Sequence, residues 1–249
     1  MKICVFCSSS DNLDAKYVDA AKALGKTIAA RGHELVFGGY DKGLMGDVAN
    51  AAVAAGGRVF GVTTTGLTAK GRAIVEGIEN VEEPDLSTRI KHMVSMSDAF
   101  VTLPGGLGTF EEFFSVMSQI KAGELKATCA LLDVDGYFKP LVEMLDLSCE
   151  TGLNSCDWRA FCDVFTTPDG IIDWLENNGT SFFHQGVRSG SCAQSRHASR
   201  TMRRREGAFC EGHWPQQGLR AQRRHSQAGL EARIAWPWPR GAFDDPNAW

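Results

Sequence analysis

Long hydrophobic stretches and an excess of positive charge are both missing from this chain of 249 residues. No run of 18 or more apolar residues occurs, which excludes a membrane-spanning helix. The chain has 26 basic and 30 acidic side chains, and proteins that depend on nucleic acid usually carry a basic excess. Nucleic acid is therefore not expected as an obligatory partner. The apolar start at residues 3–6 is too short for the core of a signal peptide, which indicates a cytoplasmic protein.

Paired cysteine spacings are missing as well. The eight cysteines occur at irregular intervals, a pattern that in a cytoplasmic chain indicates free thiols rather than a disulfide framework. No two short cysteine or histidine spacings combine into the arrangement that zinc sites use. Cys4 and Cys7 lie three residues apart along a predicted strand, so their side chains point to opposite faces. The sequence therefore predicts no metal, no cofactor and no redox pair.

The C-terminal part of the chain lacks lysine and almost all large aliphatic side chains. Residues 181–249 contain 11 arginines and five acids, whereas residues 1–180 contain 15 basic and 25 acidic residues. The tail's large non-aromatic apolar residues are only Val187, Met202, Leu219, Leu230 and Ile234. Burying so few side chains cannot offset the entropy of ordering the segment. We predict a folded domain at residues 1–178 and a disordered or out-of-frame tail at 179–249, whose arginine runs alternatively fit RNA or acidic surfaces.

Apolar runs alternate with helical patterns throughout residues 1–178. Continuous apolar runs predict strands at residues 3–6, 34–37, 58–62, 99–103, 128–132 and 163–165. Helical spacing predicts helices at residues 14–31, 44–55, 86–96, 110–120, 137–149 and 168–176. Strands that are apolar throughout and separated by helices are typical of a parallel sheet covered on both faces. We predict one α/β domain, a doubly wound and Rossmann-like parallel sheet whose ligands bind beyond the carboxyl ends of the strands.

Three predicted strand-to-helix turns are rich in glycine or serine. Residues 7–10 read Cys-Ser-Ser-Ser, residues 38–46 read Gly-Gly-Tyr-Asp-Lys-Gly-Leu-Met-Gly, and residues 104–112 read Pro-Gly-Gly-Leu-Gly-Thr-Phe-Glu-Glu. Glycine lets bare backbone N–H groups approach a ligand, and the start of a helix attracts an anion. The turns therefore predict a site for a phosphate or another oxyanion. The candidate binding residues are Ser9, Gly39, Gly43, Met45, Gly46, Gly105, Gly106, Gly108 and Thr109.

Neither glycine turn matches a common nucleotide fingerprint. Leu44 and Met45 stand where a P-loop has Lys and Ser or Thr, and Glu111 stands where a dinucleotide fingerprint has a small residue. Thr109 and Glu112 have the spacing of a helix capping box, which gives them a purely structural interpretation. The other interpretation is chemical: a carboxylate one turn from a bound sugar phosphate can stabilise an oxocarbenium-like centre and activate water.

The turns at 38–46 and 104–112 together resemble those of the LONELY GUY (LOG) family, which comprises cytokinin riboside 5′-monophosphate phosphoribohydrolases long labelled lysine decarboxylases. The resemblance rests on the PGGxGTxxE signature and covers roughly residues 1–178. It implies a Rossmann-like homodimer that hydrolyses a nucleoside 5′-monophosphate to free base and ribose 5-phosphate. It also implies that Glu112 and Arg89 are catalytic, Arg89 from the helix that precedes the signature strand.

Three residues depart from the pattern of that family. Ile90 replaces the lysine that follows the arginine, Tyr40 replaces the third glycine of a Gly-Gly-Gly turn, and Ser8 replaces a glycine. The departures bear on substrate preference, which the sequence leaves open.

Two functions stay open at this stage. The first is a phosphoribohydrolase acting on cytokinin-type purine nucleotides or AMP, with backbone amides holding the phosphate, Glu112 facing the ribose and Arg89 supplying fixed positive charge. The second is a non-catalytic nucleotide-binding or sensing protein on the same scaffold, which needs only the glycine turns. A pyridoxal-phosphate decarboxylase is disfavoured because it requires a Schiff-base lysine, and Lys42 is the one lysine at a glycine turn.

Overall fold

The computed structural model describes residues 1–155 and 157–178. Its strands are β1 (Lys2–Phe6), β2 (Glu34–Phe37), β3 (Val59–Thr64), β4 (Glu79–Glu83), β5 (Ala99–Thr102), β6 (Thr128–Leu132) and β7 (Cys162–Phe165). Its α-helices are α1 (Ala15–Ala30), α2 (Gly43–Ala54), α3 (Thr65–Ala69), α4 (Leu86–Ser95), α5 (Leu107–Ala122), α6 (Lys139–Glu150) and α7 (Pro168–Asn178). A short 3-10 helix, Trp158–Ala160, precedes β7.

The seven strands form one parallel sheet in the order β4-β3-β2-β1-β5-β6-β7. The order of the chain reverses at β1, because β2 to β4 extend to one side of it and β5 to β7 to the other. In open α/β sheets such a reversal leaves a crevice beyond the carboxyl ends of the two central strands, and ligands bind there. The predicted doubly wound α/β fold is confirmed, and its crevice lies above β1 and β5.

Helices cover both faces of the sheet, as continuously apolar strands require. Helices α1, α2 and α7 pack on one face, where Leu24, Leu44 and Ile171 belong to the same buried cluster. Helices α4 and α5 pack on the other face through Met93 and Phe113, with partly buried residues of α6 beside them. Burying a large apolar side chain stabilises the fold by about 1.5–3 kcal/mol. The core thus fixes α4 and α5, the helices that carry Arg89 and Glu112, on one side of the sheet.

Besides the short 3-10 helix, two elements were not predicted, and both lack the apolar pattern of a core element. Strand β4 has the sequence Glu-Asn-Val-Glu-Glu and lies at the edge of the sheet, where charged side chains discourage pairing with another chain. Helix α3 has only five residues, none of them buried.

The thiol prediction is confirmed for four of the described cysteines. Cys4, Cys7, Cys129 and Cys162 carry free thiols. The predicted disordered or out-of-frame tail at 179–249 lies outside the described residues. Among the helices at residues 1–155 and 157–178, none combines the length and the hydropathy that crossing a bilayer requires.

Candidate active site

The three predicted turns meet at the carboxyl edge of the sheet. The backbone N–H of Ser8 donates to the carbonyl of Pro104 across 3.2 Å, which joins the first turn to the signature turn. Gly43 has a φ of 54°, and a Cβ there would collide with the backbone of Ser9 and Ser10. The first two turns therefore touch backbone to backbone, which is possible only because residue 43 is glycine.

Helix α5 begins inside the signature turn and offers an anion site at its amino end. Gly106 is the N-cap residue, and no side chain caps the helix. Gly106, Leu107 and Gly108 are exposed, so the N–H groups at the start of the helix, which have no intrahelical partner, face solvent. These groups carry the positive end of the helix dipole, which favours phosphate. The amino end of α5 therefore has the geometry predicted for a phosphate site.

Packing around Gly105 fixes the shape of this turn. A Cβ on Gly105 would overlap the buried side chain of Thr109, so glycine is needed for Thr109 to lie beneath the turn. The hydroxyl of Tyr137 donates to the Gly105 carbonyl from the β6–α6 connection. Thr109 and Tyr137 thus both hold the turn in this shape.

The capping-box interpretation of Thr109 and Glu112 is wrong. Helix α5 starts at Leu107, three residues earlier than predicted, so Thr109 is its third residue and Glu112 its sixth. The cap position belongs to Gly106, whose extended backbone (φ −100°, ψ −154°) turns the chain into the helix. Neither side chain therefore caps the helix.

Arg89 and Glu112, the two predicted catalytic residues, lie side by side. Arg89 is in the first turn of α4, which Asp85 and Thr88 begin with a capping box. Its Nε donates to the carbonyl of Val62 at 2.8 Å, and its Nη1 lies 3.7 Å from Glu112 Oε1. The two side chains are only 9% and 12% exposed. The structure therefore brings two residues, 23 positions apart in the sequence, into one buried ion pair that is too long for a hydrogen bond.

The environment of Glu112 brings the pKa of its carboxyl group close to neutral pH. Burial raises the pKa of Glu112 from the ordinary 4.5 to about 7; the charge of Arg89 lowers the pKa in part, and Glu111 raises it further. Desolvation outweighs the attraction of the arginine because the 3.7 Å separation provides no hydrogen bond to the carboxylate. A carboxyl group with this pKa can accept or release a proton at neutral pH.

The raised pKa predicts a specific dependence of stability on pH. The folded protein holds the Glu112 proton more tightly than the unfolded chain does. The resulting stabilisation is fully present below pH 4.5 and is lost as the pH rises through about 7. At about 1.4 kcal/mol per pKa unit, we expect wild type to lose about 3 kcal/mol relative to Glu112→Gln between pH 4 and pH 8. Denaturant unfolding at a series of pH values measures this difference, and parallel curves for the two proteins would contradict it.

Of the remaining predicted binding residues, Met45 and Ser9 lie near the site, whereas Gly39 and Gly46 pack within the protein. Met45 places its sulfur beside Gly38, next to the Arg89 guanidinium, and Ser9 is half-buried in the first turn. Gly39, with a φ of 80°, packs against Thr63 and Asn80 on the β3–β4 side, while Gly46 packs against Asp41. For Gly39 and Gly46 the lack of a side chain is therefore explained by packing within the protein.

Tyr40 does not project into the site. Its side chain is fully buried; the hydroxyl donates to the Thr64 carbonyl at 2.9 Å and accepts from the Thr64 N–H at 2.8 Å. The side chain thus connects the turn after β2 to the junction of β3 and α3. Its direction could not be inferred from the sequence, because a bulky residue within a glycine turn can point to either side.

Removing the Tyr40 hydroxyl should cost stability. In Tyr40→Phe the buried Thr64 N–H loses its acceptor, and a buried donor without a partner typically costs about 1–3 kcal/mol. Urea denaturation of wild type and variant measures the difference. An unchanged unfolding midpoint would show that the hydroxyl contributes nothing to the β3–α3 junction.

Comparison with known families and proteins gives consistent matches. A family model described as "Possible lysine decarboxylase" matches residues 45–175. A probable cytokinin riboside 5′-monophosphate phosphoribohydrolase of Oryza sativa subsp. japonica is 38% identical over 178 residues, covering 70% of this chain and 72% of the relative. A cytokinin riboside 5′-monophosphate phosphoribohydrolase of Rhodococcoides fascians is 36% identical over 171 residues, covering 68% and 86%.

Solved structures show the same fold at lower identity. The molybdenum cofactor binding protein from Rippkaea orientalis superposes with a TM-score of 0.55 at 19% identity, covering 71% of this chain and 95% of that one. The Moco carrier protein from Chlamydomonas reinhardtii gives a TM-score of 0.53 at 24% identity, covering 71% and 95%. At such identities the likeness establishes the architecture alone.

Proposed function

Because the chain belongs to the LONELY GUY family, we propose that it hydrolyses the N-glycosidic bond of purine nucleoside 5′-monophosphates, of the cytokinin type or AMP. The products are the free base and ribose 5-phosphate. The single observation that carries the proposal is the buried Arg89–Glu112 pair beside the amino end of α5. It combines a phosphate site with a carboxyl group suited to chemistry at a sugar.

The 5′-phosphate binds at the amino end of α5 in this proposal. The N–H groups at the start of α5, in the turn at residues 105–109, would donate to it, and the helix dipole adds to the attraction. Ser9 and Gly43 form the neighbouring wall, where the first two turns meet. Anchoring the phosphate fixes the ribose and so limits the positions that the anomeric carbon can occupy relative to Glu112.

Glu112 acts on the bond that breaks. As the base departs with the bonding electrons, positive charge grows on the ribose ring, and an ionised carboxylate stabilises that charge. The same carboxylate takes a proton from the water that attacks the anomeric carbon, as a general base with a pKa of about 7 can, and the departing base takes up a proton from solvent. The guanidinium of Arg89 offsets the negative charge of Glu112 and of the phosphate.

A decarboxylase, the activity in the description of the family model, has no support in this site. That chemistry needs a lysine that forms a Schiff base with its cofactor. Lys42, the candidate at a glycine turn, is the N-cap residue of α2 and lies 3.7 Å from Asp11 in a partly exposed ion pair. A carboxylate and an arginine, buried together, fit the hydrolysis of a glycosidic bond instead.

We also infer that two copies of the chain associate. Helices α4 and α5 expose large apolar side chains: Leu86, Leu107 and Phe114 are 48%, 76% and 42% exposed. Contact between copies would remove this apolar surface from water.

The cytoplasmic location and the independence from nucleic acid stay predictions of the sequence.

Measuring both products from a panel of nucleotides tests the function. The panel contains AMP, N6-alkylated AMP derivatives and the matching nucleosides without phosphate. We expect equal amounts of free base and ribose 5-phosphate from the nucleotides, and far slower release from the nucleosides because the anchor is missing. Saturable binding of the nucleotides without either product would favour the non-catalytic sensor and overturn the hydrolase.

A further inference from the structure

We propose that Gly38 is a positioning residue, which keeps the Arg89 guanidinium opposite Glu112 because it has no side chain. The inference deepens the proposed function and rests on it. Three groups surround the guanidinium and form what we call the Arg89 cradle: the Val62 carbonyl, the bare Cα of Gly38 and the sulfur of Met45.

The space above Gly38 is filled by the guanidinium. A Cβ at residue 38 would lie well under 3.0 Å from Arg89 Nη2, closer than Cβ atoms approach other atoms in real structures, and 3.1 Å from Arg89 Cζ. It would also lie 2.8 Å from the Met45 sulfur. Methionine is flexible and can move aside, whereas the guanidinium is planar and rigid. An added methyl group must therefore displace Arg89.

The collision with Arg89, rather than backbone strain, would be the main effect of adding a side chain at residue 38. Gly38 is not among the residues with positive φ, so its φ does not require glycine. Gly39 and Gly43 differ in this respect, since their φ values are 80° and 54°. An alanine at residue 38 thus isolates the contact with Arg89 from backbone strain.

The Nε end of the guanidinium cannot move freely when a Cβ at residue 38 displaces Nη2. Arg89 Nε is held at 2.8 Å by the carbonyl of Val62 in β3, the strand that pairs with β2, and Nη1 faces Glu112. A planar group fixed at Nε and pushed at Nη2 must turn, which moves Nη1 relative to the carboxylate. Gly38 therefore acts on Glu112 through Arg89.

The charges that face Glu112 make this movement measurable. Arg89 on α4 lowers the pKa of Glu112, and Glu111 on α5 raises it. From β1 and its turn, Cys4 and Cys7 also face the carboxyl group, and burial raises the pKa of each thiol well above the ordinary 9.0, so both stay neutral at pH 7. Moving Arg89 away therefore weakens the influence that lowers the pKa of Glu112, and this pKa rises above about 7.

The variant Gly38→Ala tests the proposal without substrate. Carboxyl ¹³C NMR of full-length protein labelled at glutamate follows the titration of Glu112, assigned by its absence in Glu112→Gln. We expect the midpoint to move to higher pH by about one unit, the size of a close charge contact. The matched control is Gly66→Ala in α3, where an added Cβ meets nothing within 4 Å. A wild-type Glu112 midpoint in folded Gly38→Ala would overturn the proposal.

A stability cycle keeps the proposal testable if Gly38→Ala folds poorly. The cost of Gly38→Ala is measured by denaturant unfolding in wild type and in Arg89→Ala, where the colliding side chain is gone. We expect a clear loss in the first background and little loss in the second. Equal losses in both would show that Arg89 is not the obstacle, and the proposal would fail.

Kinetics complete the test and separate this proposal from the proposed function. In Gly38→Ala we expect kcat at pH 7 to fall about tenfold with KM nearly unchanged, and the activity to recover as the pH is raised. An unchanged pH profile would count against the positioning role. A wild-type protein without any base release would overturn the hydrolase, whereas the titration and the stability cycle would still decide whether Gly38 positions Arg89.

Discussion

Glu112→Gln should lower the rate of base release from a nucleoside 5′-monophosphate by a factor of about 100 to 1,000, the usual effect of deleting one preorganised electrostatic group. Glutamine has nearly the shape of glutamate but carries no charge and cannot accept the proton of the attacking water. The ribose ring would then develop positive charge without a carboxylate 3.7 Å from Arg89 to balance it. We expect the loss in kcat, because the phosphate still binds at the amino end of α5.

Glu111→Gln is the matched control for this experiment. Glu111 neighbours Glu112 on α5, but its side chain is exposed. We expect its kcat within about threefold of wild type, because exposed charges are well screened by water. Product release by Glu112→Gln at a rate near that of wild type would remove Glu112 from the mechanism, whatever the control shows.

The dependence of the rate on pH adds a second expectation for Glu112. The carboxylate, not the acid, stabilises the sugar cation, so activity rises with pH through the pKa of about 7 and then levels off. The rising limb belongs to Glu112 and should vanish in Glu112→Gln, whose residual rate comes from the phosphate anchor and Arg89 alone.

The sequence was sufficient to predict the parallel sheet and the three turns, and the resemblance to the LONELY GUY family singled out both members of the buried pair. Continuous apolar runs specify strands of a covered sheet, and the glycine signature specifies a helix that begins at a ligand. The signature did not locate that beginning: the chain enters α5 at Leu107, because Gly106 can take the extended cap conformation and the next residues are compatible with a helix. The capping-box interpretation of Thr109 and Glu112 failed for this reason.

Relations between distant elements could not be read from the sequence. Nothing in the neighbourhood of Gly38 indicates that its missing Cβ makes room for an arginine 51 positions later, or that the Val62 carbonyl holds it. The direction of the Ile90 side chain could not be predicted from the sequence either. It departs from the family pattern next to Arg89, yet it is buried in the core with Met93 and Phe113 rather than directed at the site. Such facts depend on how α4 packs on the sheet, which periodicity alone does not determine.

Arg89→Met should reduce kcat by about 100-fold at pH 7, for two reasons that a pH profile separates. The variant removes a positive charge that balances the phosphate and the carboxylate. It also removes the charge that lowers the pKa of Glu112, so this pKa rises above about 7 and less carboxylate is present at neutral pH. Raising the pH restores only the second part of the loss. We therefore expect partial recovery of activity above pH 8, with the rising limb displaced upward.

Arg89→Lys distinguishes positive charge from its placement. Lysine keeps the charge but cannot donate from an Nε position to the Val62 carbonyl while also directing a nitrogen at Glu112, as the arginine fork does. We expect a loss of about tenfold or more, between that of Arg89→Met and wild type. The control is Lys91→Met, which removes a charge from an exposed position two residues further along α4 and should leave kcat nearly unchanged. Full activity in Arg89→Lys would mean that charge alone suffices, and the geometric role of the Arg89 cradle would then be untenable.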